Sequence, residues 1–129
     1  MRILLVDDDK DLCFLTKTVL VQNGYQVDTF GRVEEGLRHA RERPPQLILL
    51  DVMLPGMTGP EAVETLQTDS TLKNIPVIFL TALISGQEKG VVEEGLNIRG
   101  VHYPTLGKPY GMEELLGAVH KYTRRVQPD

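Results

Sequence analysis

Three runs of four consecutive apolar residues, Ile3–Val6, Leu47–Leu50 and Val77–Leu80, each end at a side chain with chemistry: Asp7, Asp51 and Thr81. Runs without polar alternation suit strands covered on both faces, as in a parallel sheet. Gln26–Phe30 reads as a weaker strand, with Val27 and Phe30 as its apolar members. Amphipathic helical patterns lie between the runs. Leu12, Leu15, Val19 and Leu20 share one face of a first helix that stops at Asn23-Gly24. Val33, Leu37 and Ala40 mark a second helix, closed by Pro44-Pro45. Thr58-Gly59-Pro60-Glu61 predicts a capping box opening a third, with Ala62, Val63 and Leu66 inward. Met112, Leu115, Leu116, Val119 and Tyr122 mark a last helix. Such alternation predicts a single α/β domain with a mostly parallel sheet and right-handed crossovers.

Ser85–Gly107 departs from this rhythm, with five glycines at 86, 90, 95, 100 and 107. Gly costs roughly 1 kcal/mol against Ala inside a helix. A short or distorted fourth helix is expected there, although Val91-Val92 also suits an irregular strand. The fifth strand is expected within Val101–Leu106, with Lys108 just beyond it.

The chain of 129 residues has room for one core. Its 14 basic and 18 acidic residues give a net charge of −4, a poor match to direct nucleic-acid binding. No apolar stretch approaches membrane-spanning length. Cys13 is the single cysteine, so no internal disulfide forms. With no targeting signal in evidence, a cytoplasmic location is expected.

Sites in open parallel sheets form at the C-terminal strand ends. Asp7, Asp8 and Asp9 follow the first strand, Asp51 ends the third, Thr81 the fourth, and Lys108 follows the fifth. Clustered carboxylates stay ionised together only when a cation offsets them. Hard oxygen ligands favour Mg2+, which commonly works with phosphate oxygens. A carboxylate can attack phosphorus, while a metal, an ammonium and a hydroxyl stabilise the transferring oxygens. The inventory is what phosphoryl transfer to a carboxylate requires.

At these residues the sequence resembles the receiver domains of two-component response regulators. The matching segments are Ile3 to Asp9, Leu47 to Gly59, Ile75 to Ala82 and Lys108-Pro109-Tyr110. The resemblance implies a doubly wound (βα)5 flavodoxin-like sandwich, its five-stranded parallel sheet in the order 2-1-3-4-5. It implies a receiver domain over residues 1–126, leaving 127–129 as a tail or a cut linker. It makes Asp51 the phosphoacceptor, Asp7 and Asp8 the Mg2+-binding acids, and Met53 a metal ligand through its backbone carbonyl. Thr81 becomes the switch hydroxyl and Lys108 its partner, with a cis bond before Pro109. A histidine kinase or phosphotransfer protein is the implied donor, and a downstream protein or attached output domain the implied receiver of the signal. No enzyme activity is expected beyond Mg2+-dependent self-phosphorylation and self-dephosphorylation at Asp51.

Two departures stand out. Where the family usually carries an aromatic switch residue, three positions before the lysine, this chain has Thr105; Tyr103 lies further upstream, beyond Pro104. Thr81 to Lys108 is a longer interval than the family's usual one. Both imply a remodelled fourth helix and fifth strand, in the family's usual output region.

Other residues have plainer readings. Asp9 is expected to cap the first helix. Cys13 reads as a small apolar filler, and His39, His102 and His120 as surface residues without metal-site spacing. Lys121, Arg124 and Arg125 suit a solvated helix end. Two other functions fit parts of the pattern. One is a receiver-like interaction module indifferent to phosphate. The other is a haloacid-dehalogenase-like phosphatase built on Asp7, Asp9, Thr81 and Lys108.

Overall fold

The computed structural model describes residues 1–54, 56–81 and 91–124. In chain order the elements are β1 (Arg2–Val6), α1 (Lys10–Gln22), β2 (Gln26–Phe30), α2 (Val33–Glu42) and β3 (Leu47–Asp51), then the short strands β4 (Met53–Leu54) and β5 (Met57–Thr58). There follow α3 (Gly59–Gln67), β6 (Val77–Thr81), β7 (Val91–Ile98), β8 (Val101–Gly107) and α4 (Met112–Arg124). The main sheet runs β2-β1-β3-β6-β8-β7. Its first five strands are mutually parallel, in the order the resemblance implies.

The apolar runs are continuous because the sheet is covered on both sides. Leu4, Val6, Ile48, Leu50, Val77 and Phe79 pack with residues of α2 and α3. Their neighbours Ile3, Leu5, Leu47, Leu49, Ile78 and Leu80 pack with α1 and α4. Burying each such side chain contributes about 1.5–3 kcal/mol. Between α2 and the sheet the approach is close: a Cβ placed on Gly36 would lie 2.9 Å from Val6 Cγ2.

The helix ends follow the sequence. Asp9 accepts the Leu12 N–H and caps α1. Thr58 and Glu61 form the reciprocal capping box of α3. Gly24 takes a φ of +94° just past α1, a conformation cheap only for glycine.

Two expectations are corrected. Leu15 does not face inward: it is 54% exposed, and Cys13, Thr16 and Leu20 form the buried side of α1. Apolar residues ring this helix, so hydrophobic spacing alone sets its phase poorly. The second concerns Ser85–Gly107. Residues 82–90 lie outside the described residues, but from Val91 onward the chain is strand, not helix. β7 pairs antiparallel with β8 and adds a sixth strand at the edge of the sheet. The two join through Arg99-Gly100, with φ of +53° and +85°. That pair of left-handed residues matches the tight hairpin turn whose twist suits antiparallel strands. The ladder slips between Val92 and Leu96, opposite Pro104. Proline has no N–H to donate, so a bulge there is expected.

Candidate functional site

Register places the site. Val6 pairs with Leu50, which sets Asp7 beside Asp51 as both strands end. Asp51 pairs with Leu80, and Thr81 follows it. Thr81 pairs with Gly107, so Lys108 leaves the sheet next to it, its N–H donating to the Thr81 carbonyl at 2.7 Å. Four strand ends thus deliver the residues singled out from sequence to one edge.

Lys108 Nζ lies 3.0 Å from Asp7 Oδ2 and 3.3 Å from Asp51 Oδ2. One ammonium therefore serves two carboxylates. Asp7 is only 3% exposed and Asp51 6%. Asp8 faces solvent at the rim. Each of the three offers a carboxylate oxygen, all within 4.8 Å of one another. Among the described residues this is the group of acids close enough to share a metal ion. Three carboxylates against one ammonium leave an excess of negative charge that a divalent cation would offset, and the donors are the hard oxygens Mg2+ prefers. Both oxygens of Asp7 already accept hydrogen bonds, Oδ1 from the Asp9 N–H and Oδ2 from Lys108. Met53 lies in β4, two residues beyond Asp51. The bond between Lys108 and Pro109 is cis.

Burial works against the Lys108 ammonium, but the hydrogen bond and charge of Asp7, joined by Asp51, outweigh it and hold Lys108 above the ordinary lysine value. Burial pushes the Cys13 thiol up to about 11, with the Asp7 and Asp9 carboxylates adding to it. Cys13 Sγ donates to the Asp7 carbonyl at 3.3 Å, so it is filler with one directed contact. His102 and His120 are exposed, whereas His39 is half-buried and bonded to Asp28 at 3.0 Å.

Thr105, at the position of the family's aromatic residue, is buried in mid-sheet, paired with Phe79 on β6 and Val92 on β7. Tyr103 points at the same face, edge-on to Phe79 with ring centroids 5.8 Å apart. Its hydroxyl accepts from Gln67 Nε2 at 2.7 Å. That nitrogen also reaches the Ile98 carbonyl at 3.3 Å, tying α3 to the hairpin.

Sequence reasoning missed a surface beside the site. Lys10, Phe14, Lys17 and Val21 recur at helical spacing along the outward side of α1, and Phe14 is 70% exposed. Lys10, Phe14 and Lys17 join Asp7, Asp8 and Arg32 in lining a cleft of roughly 530 Å³. The signal was present as apolar residues off the assumed inner face.

Comparison with known proteins agrees with this geometry. A sequence model of the response regulator receiver domain matches residues 3–120. The chain is 35% identical over 127 residues to the phosphate regulon transcriptional regulatory protein PhoB of Escherichia coli, covering 98% of this chain and 53% of PhoB. It is 38% identical over 130 residues to the response regulator MprA of Mycobacterium leprae, covering 100% and 54%. The chain thus spans about half the length of the curated relatives it matches. Among solved structures, the chemotaxis response regulator CheY4 of Vibrio cholerae superposes with a TM-score of 0.78 at 30% identity, covering 94% of this chain and 97% of that one. The receiver domain of the Francisella response regulator 1452 gives 0.79 at 28% identity, covering 98% of both. The matched span runs through all four strand ends, and sequence and shape agree: this chain belongs to the response regulator receiver domains of two-component signal transduction.

Proposed function

We propose that Asp51 accepts a phosphoryl group from a phosphohistidine donor, in a reaction that depends on Mg2+ held by Asp7, Asp8, Asp51 and the Met53 carbonyl. The observation that carries this reading is the Lys108 ammonium shared by Asp7 and Asp51 in a buried, acid-rich strand end. An Asp51 oxygen forms a bond to phosphorus as the phosphorus–nitrogen bond breaks, and the leaving imidazole keeps the electron pair and takes up a proton. Bound Mg2+ would supply charge stabilisation at the phosphoryl oxygens. Lys108 pairs with one of those oxygens, and the Thr81 hydroxyl donates to another. At most the domain phosphorylates and dephosphorylates itself at Asp51, with no further enzyme activity.

The phosphate then shifts an equilibrium between two surface states read by a downstream protein or attached output domain. The cationic and apolar stripe on α1 borders the cleft at Asp8, and a donor protein with an apolar, acidic surface fits it. The phosphatase reading requires Asp9 in the site, yet Asp9 caps α1 and Asp51 occupies the cluster instead.

Incubation with Mg2+ and phosphoramidate, followed by intact-protein mass measurement, is expected to show one added phosphoryl group, absent in Asp51→Asn. An unmodified wild-type mass under conditions that preserve acyl phosphates counts against the proposal. Phe14→Ala is expected to slow transfer from a phosphorylated histidine donor protein while leaving uptake from phosphoramidate unchanged. Partner binding insensitive to Asp51→Asn would favour the phosphate-independent module instead.

A further inference from the structure

Tyr110 carries a buried hydroxyl that packing alone does not require. It follows Lys108 by two residues and reaches back to α1, where its oxygen lies 2.8 Å from Thr16 Oγ1; either hydroxyl can donate. Thr16 is fully buried and Tyr110 nearly so. Helical threonines commonly return their hydroxyl to the carbonyl one turn earlier, and Thr18, Thr65 and Thr123 do so here. Thr16 instead meets a residue 94 positions away. Valine and phenylalanine would fill the same space without placing two polar groups in the core, so the pair calls for an explanation beyond volume.

The contacts around it close a ring. Cys13, one turn before Thr16 on α1, donates to the Asp7 carbonyl, and the Asp9 N–H at the head of α1 donates to Asp7 Oδ1. From Thr16 the ring crosses to Tyr110, passes through Pro109 to Lys108, and returns from Lys108 Nζ to Asp7 Oδ2. Lys108 itself has a long, freely rotating stem, so where its ammonium rests depends on where its backbone is held. The Thr81 carbonyl fixes that backbone on one side through the Lys108 N–H. Beyond Lys108 the Tyr110 hydroxyl supplies the polar tether to α1.

We infer that Tyr110 and Thr16 are positioning residues: their shared hydrogen bond clasps the segment after β8 to α1 and thereby sets the Lys108 ammonium between Asp7 and Asp51. The functional half of this inference rests on phosphoryl transfer to Asp51; the placement of Lys108 does not.

The test uses Tyr110→Phe, Thr16→Val and the double variant, each checked for folding by its melting transition. Nitrogen-detected NMR of lysine ammonium groups reads the placement directly. Wild type is expected to show a hydrogen-bonded, slowly exchanging Lys108 signal, absent in Lys108→Ala and broadened away in folded Tyr110→Phe and Thr16→Val. At saturating Mg2+, Tyr110→Phe is expected to slow uptake from saturating phosphoramidate about tenfold with the donor KM unchanged, since small misplacements of a transition-state group are costly. In a Lys108→Ala background the same change should alter the rate less than about twofold, because the hydroxyl acts through Lys108. A Lys108 signal that persists in Tyr110→Phe overturns the inference, as does an equal slowing in both backgrounds. If wild type takes up no phosphate, the proposed reaction falls, and the ammonium signal still decides whether the clasp places Lys108.

Discussion

β1, β3 and β6 and the β7–β8 hairpin belong to one sheet, yet they hold their shape by different means. The first three strands are sealed between helices, and the side chains along Leu47–Leu50 and Ile78–Leu80 are fully buried. Their ends are fixed by parallel register that runs unbroken from Arg2↔Gln26 through Asp51↔Leu80. The hairpin depends on local chain chemistry: a two-residue turn, a bulge opposite Pro104, and Gln67 reaching across from α3. The site stands where burial dictates geometry, and the departure from the family pattern lies where turn chemistry does. A residue change in the first region, or at Lys108 where β8 ends beside Thr81, should therefore be felt at the acidic cluster, while one at the hairpin turn, the bulge or the Gln67 contact should stay local.

The strongest test of that contrast is functional. Lys108→Ala is expected to slow phosphoryl uptake about 10²–10³-fold, the usual cost of removing one charged transition-state donor. Tyr103→Phe, which cuts the Gln67 hydrogen bond in the hairpin region, should leave uptake within about twofold. Equal effects in the two variants would erase the distinction between site and hairpin.

Stability sharpens it next. Leu49→Ala opens a void in the sealed part of the sheet and is expected to cost about 2–5 kcal/mol by denaturant titration. Val101→Ala, at an exposed hairpin position, should fall within about 0.5 kcal/mol. Two glycines divide along the same line. Gly36→Ala forces a methyl group towards Val6 and should lower global stability by about 1–3 kcal/mol. Gly100→Ala strains a left-handed turn in open space and should cost about 1–2 kcal/mol. Hydrogen exchange should show that loss confined to β7 and β8, with β1 and β3 unaffected.

The smallest effect is on pH. Burial pushes the Tyr110 phenol up to about 12 from an ordinary 10.0, against the opposing hydrogen bond from Thr16. The neutral phenol is the form the fold favours. Its contribution is complete below pH 10 and is lost as pH rises towards 12. Phenolate absorbance should therefore show a late-ionising step from Tyr110, missing from Tyr110→Phe.

The sheet core and the site were largely legible because both follow from the same signal. Continuous apolar runs mark strands covered on both faces, and the first polar residue after each run must sit at a strand end. Asp7, Asp51 and Thr81 were placed that way, and Lys108 by the same logic one strand later. Legibility failed where one residue type can serve two structures. Val91-Val92-Glu93-Glu94-Gly95 carries neither a clean alternation nor a helical stripe, and Arg99 does not advertise a left-handed turn as asparagine would. On α1, Phe14, Leu15 and Val21 are apolar yet outward, while Thr16 is polar yet inward. Hydrophobicity counts the wrong residues there because the inward threonine is satisfied by a tyrosine that sequence spacing cannot pair with it.

A single ammonium held in common has one more implication. Lys108 has three hydrogens to offer, and two of its neighbours are already Asp7 and Asp51. Anything that enlarges the negative charge at residue 51 draws those hydrogens towards itself, and Asp7 loosens by the same act. Because Asp7 is bonded to Cys13 and Asp9, the loosening passes directly to the head of α1. An event at the third strand is in this way announced at the head of α1, on the face of the sheet away from α3.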